Sequence, residues 1–250
     1  MKANACRAMQ PGQVVHCETT LFESGHWKRD KLSPMFVEAF APFQELAARL
    51  LTWLDKSTDG SHDLSHLKRV WQNARLLAQE EEGANLQLLV AAVLLHDCVH
   101  VEKGSPLRDQ ASRLSAERAG EALRKLGWAT RDLEVVTDAV LCHSYSAGLV
   151  PTTPEARILQ DADRLDAIGL VGVARCFYTA GRLGSSLYQP DDPAGKGRAL
   201  DDKSYALDHF PKKLLGLATG FTTIAGRRMA RQRHAYLQEF YNGFILELGA

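Results

Sequence analysis

The sequence has no excess of charge of either sign, since 30 Lys and Arg residues face 30 Asp and Glu residues. Binding to a nucleic-acid polymer or to an anionic membrane needs a broad basic surface, so we expect neither partner. The sequence also has no long apolar run. The longest, from Leu86 to Leu95, has about ten residues, roughly half of what a bilayer span needs. Any anionic ligand must therefore be bound by a local cluster of basic residues.

The sequence also lacks paired cysteines and an apolar N-terminal segment of the kind that directs secretion. Its 5 cysteines are scattered over 250 residues, and no two form a CxxC pair. This spacing argues against both a zinc ribbon and a disulfide framework. We therefore expect reduced thiols and a cytoplasmic protein.

No segment alternates apolar and polar residues with the period of two that a half-buried strand requires. Apolar residues recur instead at helical spacing from about residue 33 onward. One stretch, Leu86–Cys98, is apolar almost all round, as expected of a helix at the centre of a bundle. Residues 1–31 show no periodicity and are predicted to be a poorly ordered extension. Residues 32–250 are predicted to form one all-α domain.

Helix caps and breaks define the predicted helices in more detail. Gly83 and Gly127 are expected to end two of them, and Thr130 is expected to cap a third. Residues 184–204 are rich in Gly, Pro, Asp and Lys, and a loop of this length is often a lid. The predicted helices cover about 33–54, 62–82, 86–98, 110–126, 131–144, 155–180, 205–218 and 221–248.

Three short stretches concentrate residues that bind metals, namely 62–70, 94–100 and 160–166. Their ionisable residues adjoin apolar helical segments, so some of them should face the interior. Burying several such groups is costly unless a cation compensates them. Mixed Asp and His ligands suit Mn, Fe, Co, Ni or Zn better than Ca. We expect a site to which several helices contribute.

Each stretch also has a simpler interpretation. A single histidine in a core, such as His96, is more often a hydrogen-bonded core residue than a metal ligand. Asp161, Asp163 and Asp166 could form a charged helix face that pairs with nearby arginines. The occurrence of all three stretches in one chain is what favours the metal site.

The motifs His66-Leu-Lys-Arg-Val70, Leu-Leu-His96-Asp97 and Ala162-Asp163-Arg164-Leu165 resemble the H…HD…D signature of the HD-domain metal-dependent phosphohydrolases. The resemblance is closest to a small bacterial branch that carries HDxxHxxRV and QDADRLDA, here residues 62–70 and 160–167. That branch is similar to nucleotide pyrophosphohydrolases, which cleave nucleoside triphosphates. The resemblance implies a compact, multi-helix HD-domain bundle with a metal site between its helices.

The resemblance also implies roles for individual residues. It makes His66, His96, Asp97 and Asp163 ligands of one or two divalent ions, with Mn, Mg, Fe, Co, Ni and Zn as candidates. Asp163 is preferred to Asp161 because Asp163 follows the alanine of the Ala-Asp-x-Leu pattern. Asp161 is kept as a candidate for contact with one of the metal-binding side chains.

Catalysis and substrate binding are expected to involve further residues near the three stretches. Asp97 can also accept a hydrogen bond from the attacking water, and either His62 or His143 could donate a proton to the leaving oxygen. Basic side chains beside the three stretches are candidates for binding the substrate's phosphate groups, although some of them could be ordinary surface charges. They are Lys68, Arg69, Lys103, Arg108 and Arg164.

The sequence departs from the family pattern at one position. Related nucleotide-cleaving proteins carry an acidic residue three positions after the HD aspartate, where this chain has His100, so the general acid or base stays open. The leading hypothesis is hydrolysis of a small phosphorylated metabolite, most plausibly a nucleotide. The alternatives are a non-catalytic nucleotide- or metal-binding module, a di-iron oxygenase on the same fold and, more remotely, a zinc peptidase. A homo-oligomer is also left open.

Overall fold

The computed structural model describes residues 34–55, 63–101, 105–144 and 147–249, and the structural statements below concern these residues. The predicted extension 1–31 and the candidates His62 and Lys103 lie outside them. Within the described ranges the protein is all-α, as the sequence predicts. Ser186 and Tyr205 form an isolated β-bridge within the described residues. No helix in this part of the chain is long and apolar enough to cross a bilayer.

The connection between α8 and α9 is longer than those between the preceding helices. Short 3-10 segments adjoin several of them, at Glu38–Phe40, Leu51–Trp53, Arg108–Gln110 and Leu214–Gly220. The α-helices are α1 (Pro34–Val37), α2 (Gln44–Leu50), α3 (Leu64–Ala78), α4 (Leu86–Leu95), α5 (Ala111–Lys125), α6 (Thr130–Cys142), α7 (Pro154–Asp166), α8 (Gly169–Leu183), α9 (His209–Lys212) and α10 (Ile224–Glu247).

Helix α4 lies at the centre of the bundle and packs against α2, α3, α6 and α7. All of its residues from Leu88 to Leu95 are buried, which confirms the prediction from its apolar sequence. The side chain of Asn85 caps its first turn by accepting hydrogen bonds from the backbone N–H groups of Gln87 and Leu88. Because α4 is enclosed, the residues that follow its last turn begin in the interior.

The predicted helix 155–180 is wrong, because the chain forms two helices there, α7 and α8. The break lies at Ile168 and Gly169, and Gly169 has a φ of 74°, a conformation that glycine adopts without strain. A Cβ at Gly169 would also lie 3.1 Å from the Cβ of Arg233. The break lets α7 pack against α3 and α6 while α8 packs against α10.

Two other predicted helices are also interrupted. The predicted helix 33–54 is divided into α1, α2 and 3-10 turns around Pro42, whose ring and missing N–H are incompatible with a continuous helix. The predicted helix 205–218 reduces to α9 and the 3-10 segment Leu214–Gly220, within which Gly216 disfavours an α-helix.

The predicted helix ends have mixed outcomes. Gly127 directly follows the C-cap of α5 with a φ of 78°, as a helix stop should. Helix α3 already ends at Ala78, before Gly83. Thr130 is the first residue of α6 and makes no side-chain capping bond, so its predicted capping role is wrong.

The loop 184–204 is attached to the body of the protein in the described structure. Arg198 forms a hydrogen-bonded ion pair with the buried carboxylate of Asp208, just before α9. Tyr188 packs edge-on against Phe244 of α10. Within the loop, Asp192 accepts hydrogen bonds from two backbone N–H groups. A role of this loop as a lid over the site stays a prediction.

Asp161 anchors the start of α10 and does not contact the predicted metal ligands. Its carboxylate is fully buried and accepts hydrogen bonds from the backbone N–H of Thr222 at 3.0 Å and of Thr223 at 2.7 Å. The Thr223 hydroxyl also donates to it at 2.7 Å. A Cβ on Gly226 would come within 2.4 Å of this carboxylate, so the contact is close. The expectation that Asp161 contacts a metal-binding side chain is therefore wrong.

We predict that Asp161→Asn lowers the free energy of unfolding by about 1–3 kcal/mol, because the amide NH2 would face backbone donors that need an acceptor. Urea unfolding followed by circular dichroism measures this change. Asp109→Asn, at an exposed position, is the matched control and should leave the midpoint unchanged. Equal stability of the two variants would show that Asp161 does not anchor α10.

Candidate metal centre

Three helices bring the four predicted metal ligands to one place. His66 lies in the first turn of α3, His96 and Asp97 follow the last turn of α4, and Asp163 lies on α7. His143, which was predicted as a catalytic residue, follows the last turn of α6 and joins them. His66, His96 and Asp163 form one group whose ligand atoms all lie within 4.8 Å of one another, and His96, Asp97 and His143 form a second.

The individual distances show that the two groups share His96. The Nε2 atoms of His66 and His96 lie 3.2 Å apart, and Asp163 Oδ1 lies 3.5 Å from the first and 3.9 Å from the second. Asp97 Oδ2 is 3.6 Å from His96 Nε2, and Asp97 Oδ1 is 3.5 Å from His143 Nε2. Five side chains therefore direct nitrogen or oxygen atoms toward one small region.

His96 and His143 are oriented in the same way by the ends of their helices. The Nδ1 of His96 lies 2.7 Å from the carbonyl oxygen of Val93, three residues earlier. The Nδ1 of His143 lies 2.6 Å from the corresponding oxygen of Val140. A carbonyl can only accept, so each Nδ1 carries a proton and Nε2 is the ring nitrogen that is left to contact the site. The last helical turn thus fixes the tautomer of both rings.

A carboxylate orients the ring of His66. Its Nδ1 donates to Asp166 Oδ2 at 2.8 Å, and Asp166 is almost fully buried. Arg69 donates two hydrogen bonds to the two oxygens of Asp166, and Arg175 donates another. Burial alone would raise the pKa of this carboxyl, but the bonds from His66 and Arg69 hold it well below its usual range. Asp166 therefore stays ionised and holds His66 in place.

The nitrogen and oxygen atoms of these side chains fit a divalent cation. The Nε2 atoms of His66 and His96 lie 3.2 Å apart, so a positive charge between or beside them, whether a shared proton or a metal ion, stabilises the arrangement. Burial lowers the pKa of His96, which favours the neutral form that binds metals. The C-terminal ends of α4 and α6 add partial negative charge at the same place. Nitrogen and carboxylate donors in this arrangement suit a divalent transition metal.

His143 differs from His96 in its electrostatic balance. Burial lowers the pKa of His143, but its hydrogen bond and charge interaction with Asp97 outweigh that effect, so the pKa is raised overall. The pair of His143 and Asp97 can therefore hold a proton more readily than His96 can. This makes the pair suitable for proton transfer as well as for binding an ion.

The motif residue Asp63 has a local structural role. It is the N-cap of α3, and its carboxylate accepts a hydrogen bond from the backbone N–H of His66 at 3.1 Å. A peptidase of the HExxH type would need an acidic residue at this position to face the metal-bound substrate. The capping bond instead uses Asp63 to start the helix, which argues against the zinc peptidase alternative.

The basic residues predicted to bind substrate have different surroundings. Lys68 is exposed, and Arg69 holds Asp166. Arg108 donates to the carbonyl oxygen of Val101 at 2.9 Å. Arg164 donates to the carbonyl oxygen of Gly220, which ties α7 to the 3-10 segment before α10. These contacts support a structural role for Arg69 and Arg164. The side chains of Lys68 and Arg108 are exposed and so remain candidates for binding substrate.

Sequence reasoning missed three residues near the centre. Asp166 was considered only as part of a charged helix face, although its spacing of three from Asp163 places both on one side of α7. Arg175, which binds Asp166, lies on α8, whose separation from α7 was not predicted. Lys213 lies between α9 and the next 3-10 segment, and its ammonium is within the electrostatic influence of Arg108 and Asp163. No sequence signal links Lys213 to the site.

Comparison with known proteins agrees with this geometry. The family model of the HD domain matches residues 63–168, which contain His66, His96, Asp97, His143 and Asp163. A protein of Bacillus subtilis (strain 168), described as the uncharacterized protein YpgQ, is 32% identical over 197 residues. This similarity covers 78% of the present chain and 89% of YpgQ. The chain belongs to the HD-domain family.

Two solved structures resemble most of the helical fold. An HD-superfamily hydrolase of Bacillus thuringiensis is 29% identical with a TM-score of 0.62, and the match covers 83% of this chain and 98% of that one. The structure of Bacillus subtilis YpgQ in complex with ADP is 31% identical with a TM-score of 0.60, over 80% of this chain and 97% of that one. The present chain thus has the fold of HD-superfamily hydrolases.

The role of Asp166 leads to a prediction for metal binding. Asp166→Asn removes the charge that fixes the His66 ring, so we expect the affinity for Mn²⁺ to fall about 10–100-fold. Isothermal titration calorimetry measures this affinity, with Asp109→Asn as the control at an exposed position. An unchanged Mn²⁺ affinity in Asp166→Asn would show that this carboxylate does not support the centre.

We also predict that the difference in unfolding free energy between wild type and Asp166→Asn depends on pH. Because the folded-state pKa of Asp166 is lowered, its ionic contacts stabilise the fold fully above the unfolded-state pKa of about 4. That stabilisation is lost as the pH falls through the lower, folded-state value. The difference in unfolding free energy between wild type and Asp166→Asn should be constant from pH 5 to 7 and should shrink below about pH 4. A difference that grows on acidification contradicts this assignment.

Proposed function

We propose that the protein is a metal-dependent phosphohydrolase that cleaves a phosphate ester or phosphoanhydride bond in a small phosphorylated metabolite, and that this metabolite is a nucleotide. The convergence of three imidazole Nε2 atoms and two carboxylates from four helices is the observation that carries the proposal. The ADP bound to the related YpgQ supports the nucleotide. Membership of the HD-domain family supports hydrolysis.

In this proposal His66, His96, Asp97 and Asp163 bind the divalent cation. Bound there, the cation supplies a Lewis acid that withdraws charge from phosphoryl oxygen and acidifies water. The imidazoles are buried, whereas the side chains of Asp97 and Asp163 are 34% and 25% exposed. The substrate therefore approaches from the side of the carboxylates.

Asp97 and His143 are the pair to which we assign proton transfer. Asp97 Oδ1 lies 3.5 Å from His143 Nε2, and its exposed side can accept a hydrogen bond from the attacking water. The raised pKa of His143 allows this ring to hold a proton that returns to the leaving oxygen. His62, the other predicted proton donor, lies outside the described residues and stays a prediction.

Lys213 and Arg108 are the residues to which we assign the remaining phosphate charge. Burial lowers the pKa of Lys213, Arg108 lowers it further, and Asp163 opposes both effects. Two like charges from separate segments thus lie near a carboxylate of the candidate ligand set. A polyphosphate beside that carboxylate would be stabilised by both cations. Lys68 remains a further candidate on the exposed face of α3.

A panel of nucleoside mono-, di- and triphosphates tests the proposal. With Mn²⁺, Mg²⁺ or Co²⁺ the protein should release phosphate or pyrophosphate from at least one nucleotide, and EDTA should stop the reaction. His96→Ala and Asp97→Ala should each abolish Mn²⁺ binding and turnover while the helical circular dichroism is retained. His234→Ala, on α10, is the control that removes an imidazole outside the candidate groups.

The alternatives give different results in the same panel. A binding module would retain nucleotides intact, and a di-iron oxygenase would consume oxygen and show an iron absorption band. The second ligand group, which includes His143, is the feature that favours two ions. Full activity in both His96→Ala and Asp97→Ala would remove the assignment.

Lys213 leads to a separate kinetic prediction. Lys213→Ala should raise KM for the preferred nucleotide about tenfold or more, because a charge-assisted contact to phosphate is lost. Lys212→Ala changes the neighbouring lysine, whose exposed pairing with Asp202 contributes little, and serves as the control. Equal KM values for the two variants would exclude Lys213 from substrate binding.

A further inference from the structure

A cavity of about 310 Å³ lies between α3, the junction of α7 and α8, and α10. Asp166 lines it, so the cavity adjoins the carboxylate that holds His66. Two guanidinium groups, those of Arg69 and Arg233, also line it. The apolar part of the wall is contributed by residues with exposed side chains, namely Leu170, Val171 and Tyr236. The described mechanism uses none of this space.

Arg233 is the feature that points to a ligand. Its guanidinium donates to the carbonyl oxygen of Leu165 and, at 2.8 Å, to Asn73 Oδ1. Both acceptors are neutral, and no carboxylate of the described residues forms an ion pair with Arg233. Burial lowers the pKa of this guanidinium, and the charge of Asp166 offsets that effect only in part. A half-buried charge whose counter-charge is shared with other groups is costly, and an anion in the cavity would offset that cost.

The guanidinium of Arg233 is held rigidly. Asn73 donates from Nδ2 to the carbonyl oxygen of Ala162 at 3.0 Å, which turns its Oδ1 toward Arg233. The aliphatic part of Arg233 passes over Gly169, where a Cβ would lie 3.1–3.5 Å from three of its carbons. The charge is therefore in a fixed position before a ligand arrives, which reduces the entropy lost on binding.

The charges that line the cavity are unbalanced. Arg69 and Arg233 contribute two positive charges, and Asp166 contributes one negative charge that also accepts bonds from His66 and Arg175. The same cavity is also lined by apolar side chains, of which Leu170 is 64% exposed and Tyr236 is 45% exposed. An anionic head attached to an apolar body matches both parts.

We propose that this cavity binds a small organic anion, whose phosphoryl or carboxylate head contacts Arg233 and Arg69 and whose apolar body lies against Leu170, Val171 and Tyr236. The site is separate from the metal centre but shares Asp166 with it. An anion that binds Arg69 competes with Asp166 for the same guanidinium. The binding itself does not depend on the proposed hydrolysis.

Calorimetric titration of the full-length, metal-free protein in EDTA tests the site. The probes are phenylphosphonate, whose P–C bond a phosphohydrolase does not cleave, and phenylacetate. Leu170→Asp adds a negative charge at the mouth of the cavity, and Leu170→Asn is its uncharged match. We expect wild type and Leu170→Asn to bind at least one probe equally and Leu170→Asp to bind it at least tenfold more weakly.

Further variants separate this site from the metal centre. Arg233→Gln should lose probe binding, Arg231→Gln on the exposed side of α10 should retain it, and His96→Ala should also retain it. The Leu170 pair keeps the test valid if Arg233→Gln does not fold. The proposal is overturned if wild type binds neither probe, if Leu170→Asp binds as well as Leu170→Asn, or if His96→Ala abolishes binding.

A second copy of the chain is the competing occupant of the cavity. Sedimentation of wild type and Leu170→Asp distinguishes it. A wild-type dimer that binds neither probe and that Leu170→Asp dissociates would make the cavity a subunit interface and would overturn the proposal. Probe binding by wild type in the same oligomeric state as Leu170→Asp supports it.

Discussion

The structure depends on the hydrogen bonds that three histidine rings make at Nδ1. The carbonyl oxygens of Val93 and Val140 and the carboxylate of Asp166 each accept one of these bonds. Each bond places a proton on Nδ1, so all three rings direct Nε2 to one region. A divalent cation bound there would accept Nε2 lone pairs and offset the charge of the adjacent carboxylates.

The fold provides these bonds through the ends of its helices. Helix α4 is enclosed by its neighbours, so its last turn brings His96 into the interior, and α6 does the same for His143. The break at Gly169 directs α8 back along α10 and positions Arg175 against Asp166. The same break forms one wall of the cavity that contains Arg233. One backbone feature therefore serves both the metal centre and the proposed anion site.

The sequence predicted the all-α fold, the central helix and the family, because periodicity and motif spacing are local properties. It also predicted that Asp163, not Asp161, would lie with the histidines, and the distances to His66 and His96 agree. The helix break at Gly169 was missed because a single glycine is often tolerated within a helix. Lys213 was missed because its position depends on tertiary contacts far along the chain. The role of His62 stays a prediction.

Crystals of the protein soaked in Mn²⁺, with diffraction recorded at the manganese absorption edge, test the central claim most directly. The account predicts an anomalous peak about 2.0–2.3 Å from the Nε2 atoms of His66 and His96 and from carboxylate oxygens of Asp97 and Asp163. A second peak beside His143 would add a second ion. Absence of any peak among these side chains, or a peak elsewhere on the protein alone, would contradict it.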